Sequence, residues 1–167
     1  PGNVALAVNP IAEYVKVKQS QEVYILAKER IGILEGPYEI LQDSIKGSEL
    51  VGLRYEPLFQ ALVKVKPEYI ENAFQVFPAD FVNFKDGTGI VHTAVMYGDD
   101  DFKLGRKYGL PMRHTVDENG QFTGDVEQWA GMGVKETESK IREDLRNRNV
   151  LYKQEKIMHS YPFCWRC

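Results

Sequence analysis

A chain of 167 residues, 43% of them hydrophobic, is long enough for one domain with a substantial core and too short to require two. Its 21 Lys and Arg against 24 Asp and Glu leave a net charge of −3, whereas chains that hold nucleic acid through its phosphates carry a basic excess, so strong independent RNA binding is not expected. No run approaches the roughly 18 to 20 continuous apolar residues of a bilayer span, and the amino end lacks the order of a secretory signal, so a soluble, cytoplasmic protein with no membrane partner is expected.

In chain order, Val4–Val8 and Tyr14–Lys18 alternate apolar with polar or small residues, the period of half-buried strands, and Asn9-Pro10 between them predicts a hairpin or meander. Opening on Pro1 and running directly into that alternation, the sequence reads as a piece of a longer protein. Glu22–Ala27 is another short apolar run. Lys28–Leu34 is a short helix stopped by Gly36 and Pro37, and Tyr38–Ile45 is strand again. Gly47, Gly52 and Pro57 break the next stretch into a compact loop expected to turn Leu50, Leu53, Tyr55, Leu58 and Phe59 inward. Phe74–Phe77 and Phe81–Phe84 read as strands. Asp86-Gly87 then forms a tight hairpin turn into Gly89–Ala94, because glycine accepts positive φ freely. A helix over Asp99–Tyr108, closed by Gly109 with Pro111 beyond, is followed by a second over Thr137–Asn149 with Ile141, Leu145 and Val150 as its apolar stripe, and by a strand over Leu151–Met158. Mixed α/β architecture with short, largely antiparallel strands follows, with residues 1–158 as the domain and 159–167 as the start of another segment.

Both cysteines, Cys164 and Cys167, lie in that last segment at C-x-x-C spacing, half of a tetrahedral zinc site; His159 adds a third candidate, but a second pair is missing. The basic residues Lys140, Arg142, Arg146, Arg148, Lys153, Lys156 and Arg166 gather toward the same end, and read either as a solvated helix face or as a local basic surface.

The chemistry-bearing groups cluster between Gly87 and Phe102, where a strand hands over to a helix. Asp99, Asp100 and Asp101 open that helix, where unsatisfied N–H groups favour negative charge. Asp99 and Asp100 stand at i+4 and i+3 from Lys103, while Asp101 shares a face with Leu104 and Tyr108 and turns its carboxylate inward. Such a carboxylate either steadies the first turn, pairs with a protein lysine, or holds a substrate cation. His92 lies on one face of its strand, as a hydrogen-bonded histidine or a site residue. His114 and His159 stand apart from it, so no histidine-centred metal site is predicted, and no serine occupies a nucleophile elbow.

Asp80-Phe81-Val82, Asp86-Gly87-Thr88-Gly89-Ile90-Val91-His92-Thr93-Ala94 and Gly98-Asp99-Asp100-Asp101-Phe102 together resemble the signature of the editing domain inserted into isoleucyl-tRNA synthetases. Pro1-Gly2-Asn3 through Pro10, Lys46-Gly47 through Phe59, Val116 through Thr123 and His159 through Cys167 resemble its other landmarks, so the likeness covers essentially the whole chain. Valyl and leucyl synthetases carry homologous domains; His92-Thr93-Ala94 favours the isoleucyl member. Val95-Met96-Tyr97 replaces the Pro-Gly-His of many bacterial members and is similar to the archaeal and eukaryotic-type subgroup. The resemblance implies a barrel-like core of short strands with flanking helices. It implies hydrolysis of valine wrongly attached to the isoleucine tRNA, post-transfer and also pre-transfer, with Asp101 on the valyl α-ammonium and His92 lining the pocket. Gly87, Thr88, Gly89, Thr93 and Tyr97 would touch the substrate end of the tRNA. The implied partners are tRNA(Ile) charged with valine and the rest of the synthetase chain. No metal or cofactor would serve the hydrolysis; ATP and zinc would belong to the parent enzyme outside this segment. In that family a threonine-rich strand precedes the Pro-Gly-Asn matched by Pro1–Asn3, which places part of the pocket upstream. The alternatives are a tRNA-end binding module without catalysis, an editing domain of a related valyl or leucyl enzyme, and a structural insertion bearing a zinc knuckle.

Overall fold

A computed structural model of the chain describes residues 1–62 and 71–155. Two three-stranded sheets form its centre. In the first, β1 (Ala5–Val8) lies between β5 (Val76–Pro78), which it pairs in parallel, and β6 (Ile90–Thr93), which it pairs antiparallel. In the second, β2 (Glu13–Gln19) lies between β3 (Glu22–Ala27) and β4 (Glu39–Lys46), both antiparallel to it. β1 is paired along both edges, and clusters packed on it bury Ala5, Ala7 and Val8.

The expected hairpin between the first two strands is therefore not formed: β1 and β2 enter different sheets, and the turn at Asn9-Pro10 carries the chain from one to the other. Tyr14 joins the two. Fully buried, its ring packs with Val8 and Val76 of the first sheet and Ala27 and Ile45 of the second. Its hydroxyl donates to the Gly89 carbonyl at 2.8 Å and accepts from the Asn9 N–H at 3.0 Å, which satisfies a buried polar group at the junction. Val15 and Val17 face a separate apolar layer containing Ile31 and Ile33 of the 3-10 segment Lys28–Ile33, the short helix expected there, and Leu34 just beyond it. Neither sheet closes among the described residues, so the barrel-like core is corrected to two open sheets meeting around Tyr14.

Phe81–Phe84 forms no strand, because β6 takes β1 as its partner. Phe81, Val82 and Phe84 instead pack from irregular backbone into the layer of Ala7, Ala79 and Leu104. In the loop after β4, Leu50 is buried within α1 (Gly47–Leu50), but Leu53 and Leu58 remain 50% and 45% exposed, against the expectation that both turn inward. The next helix, α2 (Asp99–Tyr108), has the expected limits. It packs Leu104 against the first sheet and ends at Gly109, whose φ of 63° lets the N–H reach the Gly105 carbonyl.

The last helix, α3 (Val134–Asn147), begins three residues before the expected Thr137 and ends two before Asn149. Ile141 packs with Phe122, Val126 and Trp129, whereas Val150 is 47% exposed. Arg142 pairs with Glu138, Arg148 with Asp144 and Lys153 with Glu35, so much of the basic cluster is internally neutralised, the signature of a solvated face. Residues 151–155 form no strand; Tyr152 docks there by an edge-on contact with Tyr24 at 5.1 Å and a hydrogen bond from its hydroxyl to Gln19 at 2.9 Å. The remainder of the predicted strand, Lys156, Arg166, and the ligand candidates His159, Cys164 and Cys167 lie outside the described residues, as does the expected boundary at 158/159.

Candidate functional site at the end of β6

The strand that carries His92 ends at Thr93, and α2 begins six residues later. Gly98 stands in extended backbone at the helix cap and offers no side chain of its own. No side chain caps the helix, and the first turn reaches back to the strand instead. Asp101 Oδ2 accepts the Ala94 N–H at 2.9 Å, which clips the end of β6 to the start of α2. Asp99 and Asp100 face outward to Lys103, at 2.5 and 3.9 Å, as their spacing predicts. Asp101 makes no ion pair among the described residues, and its second oxygen, Oδ1, accepts no hydrogen bond from them. A half-buried carboxylate with one oxygen fixed and one open is a ready acceptor for a cation brought from outside.

His92 pairs with Leu6 across β1 and turns its ring to the exposed face, beside Asn3. Asn3 Nδ2 donates to His92 Nδ1 at 3.0 Å and to the Ala5 carbonyl at 2.8 Å, and Asn3 Oδ1 accepts the Tyr55 hydroxyl. Although the residue keeps an exposed edge, protein atoms packed around the ring displace water from it and so disfavour its cationic form; the Pro1 amino group adds to that, and the Asp101 carboxylate opposes it. The result is an imidazole held below the ordinary histidine range. The Pro1 contribution belongs to a free amino group and disappears where Pro1 is joined to a preceding residue.

A depressed histidine predicts the sign of a pH effect. As pH falls through about 6.5 the unfolded chain takes up the proton before the folded one, so stability is full above that pH and declines below it until folded His92 itself protonates. Urea midpoints measured from pH 8 to pH 5 should therefore fall more steeply for the natural chain than for His92→Gln. Parallel curves would show that His92 contributes nothing.

The other sequence-predicted residues lie elsewhere. Gly89 is three residues from His92, about 10 Å along an extended strand, at the opposite end of β6. Each carbonyl of Gly87-Thr88-Gly89 is engaged by the second sheet or its flank: Gly87 by Arg30 Nε at 2.8 Å, Thr88 by the Ala27 N–H at 2.8 Å, Gly89 by Tyr14. The Thr88 hydroxyl turns back on Ile90. Thr93 is fully buried, and its hydroxyl has no hydrogen-bond partner among the described residues. Tyr97 exposes about half its ring, but its oxygen accepts the Thr115 and Val116 N–H groups at 2.7 and 2.9 Å and contacts the Thr115 hydroxyl at 3.1 Å, which uses its full capacity. Asp101 and His92 are thus near enough to feel each other's charge, while Gly87-Thr88-Gly89 and Tyr97 are committed to structural hydrogen bonds and Thr93 to the core. Asn3, Tyr55, Arg30 and Tyr14 received no site role from the sequence. The bond of Asn3 to Ala5 is a local one, two residues on, but here the amide nitrogen donates to the Ala5 carbonyl, unlike the usual asparagine turn in which the side-chain oxygen accepts an N–H. Tyr55 carries no local signal.

Among the described residues no group of three or more His, Cys, Asp or Glu side chains is placed to hold a metal ion, and no helix is long and apolar enough to cross a membrane.

No family model matches the chain. Isoleucine–tRNA ligases do: that of Clostridium tetani is 51% identical over 168 aligned positions, that of Clostridium acetobutylicum 47% over 167, and that of Bacillus thuringiensis 45% over 168, in each case with all of this chain covered. The chain is a relative of one segment of these ligases. It spans 16% of their length. A solved structure described as "The crystal structure of GlLeuRS-CP1" superposes with a TM-score of 0.63 over 93% of this chain and 80% of that one, at 17% identity, and so shares the fold. Mixed α/β structure with antiparallel pairing is the architecture common to the two, in agreement with the fold class read from the sequence.

Proposed function

We propose that this segment is the editing domain of an isoleucyl-tRNA synthetase, hydrolysing the ester of valine misattached to tRNA(Ile), and that misactivated valine before transfer is a second substrate. The identity of the relatives over the full chain supports the synthetase context. The observation that carries the site is Asp101: one oxygen clipped to the Ala94 N–H, the other open, at the first turn of α2 beside His92. An aminoacyl ester presents an α-ammonium next to the bond to be cut. Holding that ammonium fixes the carbonyl relative to an attacking water, and orientation of this kind supplies a large part of the rate. A second site is needed because a hydrophobic pocket resolves one methylene by only about 1–3 kcal/mol, a limit for which isoleucine against valine is the standard illustration and no measurement on this chain. A pocket that admits valine and excludes isoleucine by size supplies the rest.

In this reading Asp101 and His92 touch the substrate, while Gly87-Thr88-Gly89, Thr93 and Tyr97 set the position of β6 and the segment after it. The chemistry needs no metal or cofactor; ATP belongs to the synthetic reaction of the parent ligase. Val95-Met96-Tyr97 forms part of the pocket surround, and the clostridial and bacillar relatives lend its archaeal-type likeness no support. The test offers Val-tRNA(Ile) and Ile-tRNA(Ile) to a chain that also carries the residues preceding Pro1 in the parent ligase. Valine should be released at least about tenfold faster, the factor of one excluded methylene. Equal rates, or binding without release, would sink the assignment.

A further inference from the structure

The hydrogen bonds around Asn3 fix which nitrogen of His92 carries the proton. Asn3 is half-buried, and its amide meets three groups: the Ala5 carbonyl at 2.8 Å and His92 Nδ1 at 3.0 Å on the nitrogen side, and the Tyr55 hydroxyl on the oxygen side. The amide is held in this orientation. Turned over, its oxygen would face the Ala5 carbonyl, an acceptor against an acceptor, and that carbonyl would lose its donor. Burial pushes the Tyr55 phenol far above the ordinary range, so it remains a protonated donor to Oδ1. With one Asn3 amide hydrogen on Ala5 and the other on His92, Nδ1 is the accepting nitrogen.

We propose that Asn3, anchored by Tyr55 and the Ala5 carbonyl, is a positioning residue that holds His92 as a neutral imidazole with its proton on Nε2. His92 is then a hydrogen-bond donor to a substrate oxygen and not the general base. A base needs a free lone pair: that of Nδ1 is taken by Asn3, and Nε2 is already protonated. Protonation at Nδ1 would set its hydrogen against the Asn3 amide, in keeping with the depressed basicity of the ring. The charged groups acting on that ring are the Asp101 carboxylate and the Pro1 amino group. The identity of the substrate oxygen rests on the editing reading; the tautomer does not.

The two halves are tested separately. The chain has three histidines, so a sample labelled with ¹⁵N-histidine gives few imidazole signals, and His92→Gln identifies the one that matters. At pH 8 that ring should show an unprotonated Nδ1 and a protonated Nε2. Asn3→Asp, which replaces the donor by an acceptor, should move the proton to Nδ1 and raise the basicity of the ring. A natural chain with the proton on Nδ1 overturns the proposal whatever the variant does. In the deacylation assay, His92→Ala should lose about 100-fold in kcat, typical of a lost donor to a reacting oxygen, while His92→Gln, whose amide N–H reaches the place of Nε2–H, should stay within about tenfold of the natural chain. Equal loss in both overturns the donor role. Absence of deacylation by the natural chain would overturn the editing reading and leave the tautomer standing on its spectrum.

Discussion

Asp101→Asn is expected to slow release of valine from Val-tRNA(Ile) by roughly 30- to 1,000-fold, the equivalent of about 2–4 kcal/mol for a charged pair stripped of one partner. Two roles compete for this side chain, and the substitution separates them. As a clip, Asp101 needs only an oxygen that accepts the Ala94 N–H at 2.9 Å, and asparagine supplies one in the same place. As a cation holder it needs its negative charge, and asparagine presents an N–H₂ donor instead, which faces an ammonium unfavourably. The helix loses one of three first-turn charges, at about 0.3–1 kcal/mol, with Asp99 and Asp100 retained. Asp101→Ala removes the clip as well and should be less stable than Asp101→Asn by about 1 kcal/mol, the net worth of one hydrogen bond, with deacylation no higher. Single-turnover deacylation and urea midpoints on both variants give the ranking. If Asp101→Asn deacylates at the natural rate, the carboxylate is a structural clip and the ammonium is held elsewhere.

What could be read from the sequence is what local geometry decides. The limits of α2 follow from three aspartates at its start and Gly109 at its end, and the inward turn of Asp101 follows from the 3.6-residue period shared with Leu104 and Tyr108. The alternation of Val4–Val8 and Tyr14–Lys18 correctly marked two strands. Their pairing is not legible in the same way, because the partners of β1 are β5 and β6, more than sixty residues away, and a turn at Asn9-Pro10 looks the same whether it closes a hairpin or passes between sheets. Phe81–Phe84 is a similar case: aromatic spacing suited to a strand serves equally for irregular backbone lying on an apolar layer. The site divides the same way. Asp101 and His92 were legible within one strand-to-helix passage. The Tyr55–Asn3–His92 chain joins residues 52 and 89 positions apart, and no local pattern encodes either contact.

Two glycines of one turn should respond very differently to alanine, and the contrast measures what holds β6 against the second sheet. Gly87 and Gly89 both adopt positive φ, 64° and 76°, so alanine at either place incurs the left-handed penalty of about 1–2 kcal/mol. At Gly87 nothing lies within 4 Å of an added Cβ, and the penalty ends there. At Gly89 the new Cβ would stand 2.4 Å from the Ala27 Cβ and 2.9 Å from the Phe84 ring, well inside van der Waals contact. Ala27 Cβ is fixed to the backbone of β3 and cannot swing away. The loop must move instead, and with it the Thr88 carbonyl on the Ala27 N–H and the Gly89 carbonyl on the Tyr14 hydroxyl, each at 2.8 Å. Overpacking of this kind adds about 1–3 kcal/mol before those bonds are counted. Gly89→Ala should therefore lose about 3–5 kcal/mol, a fall in Tm of roughly 10 °C for a chain this size, against about a third of that for Gly87→Ala. Equal losses at the two positions would place the whole effect in backbone strain and none in the contact between sheets. A larger loss at Gly89 identifies the Tyr14–Gly89–Ala27 junction as a contact that holds β6 against the second sheet.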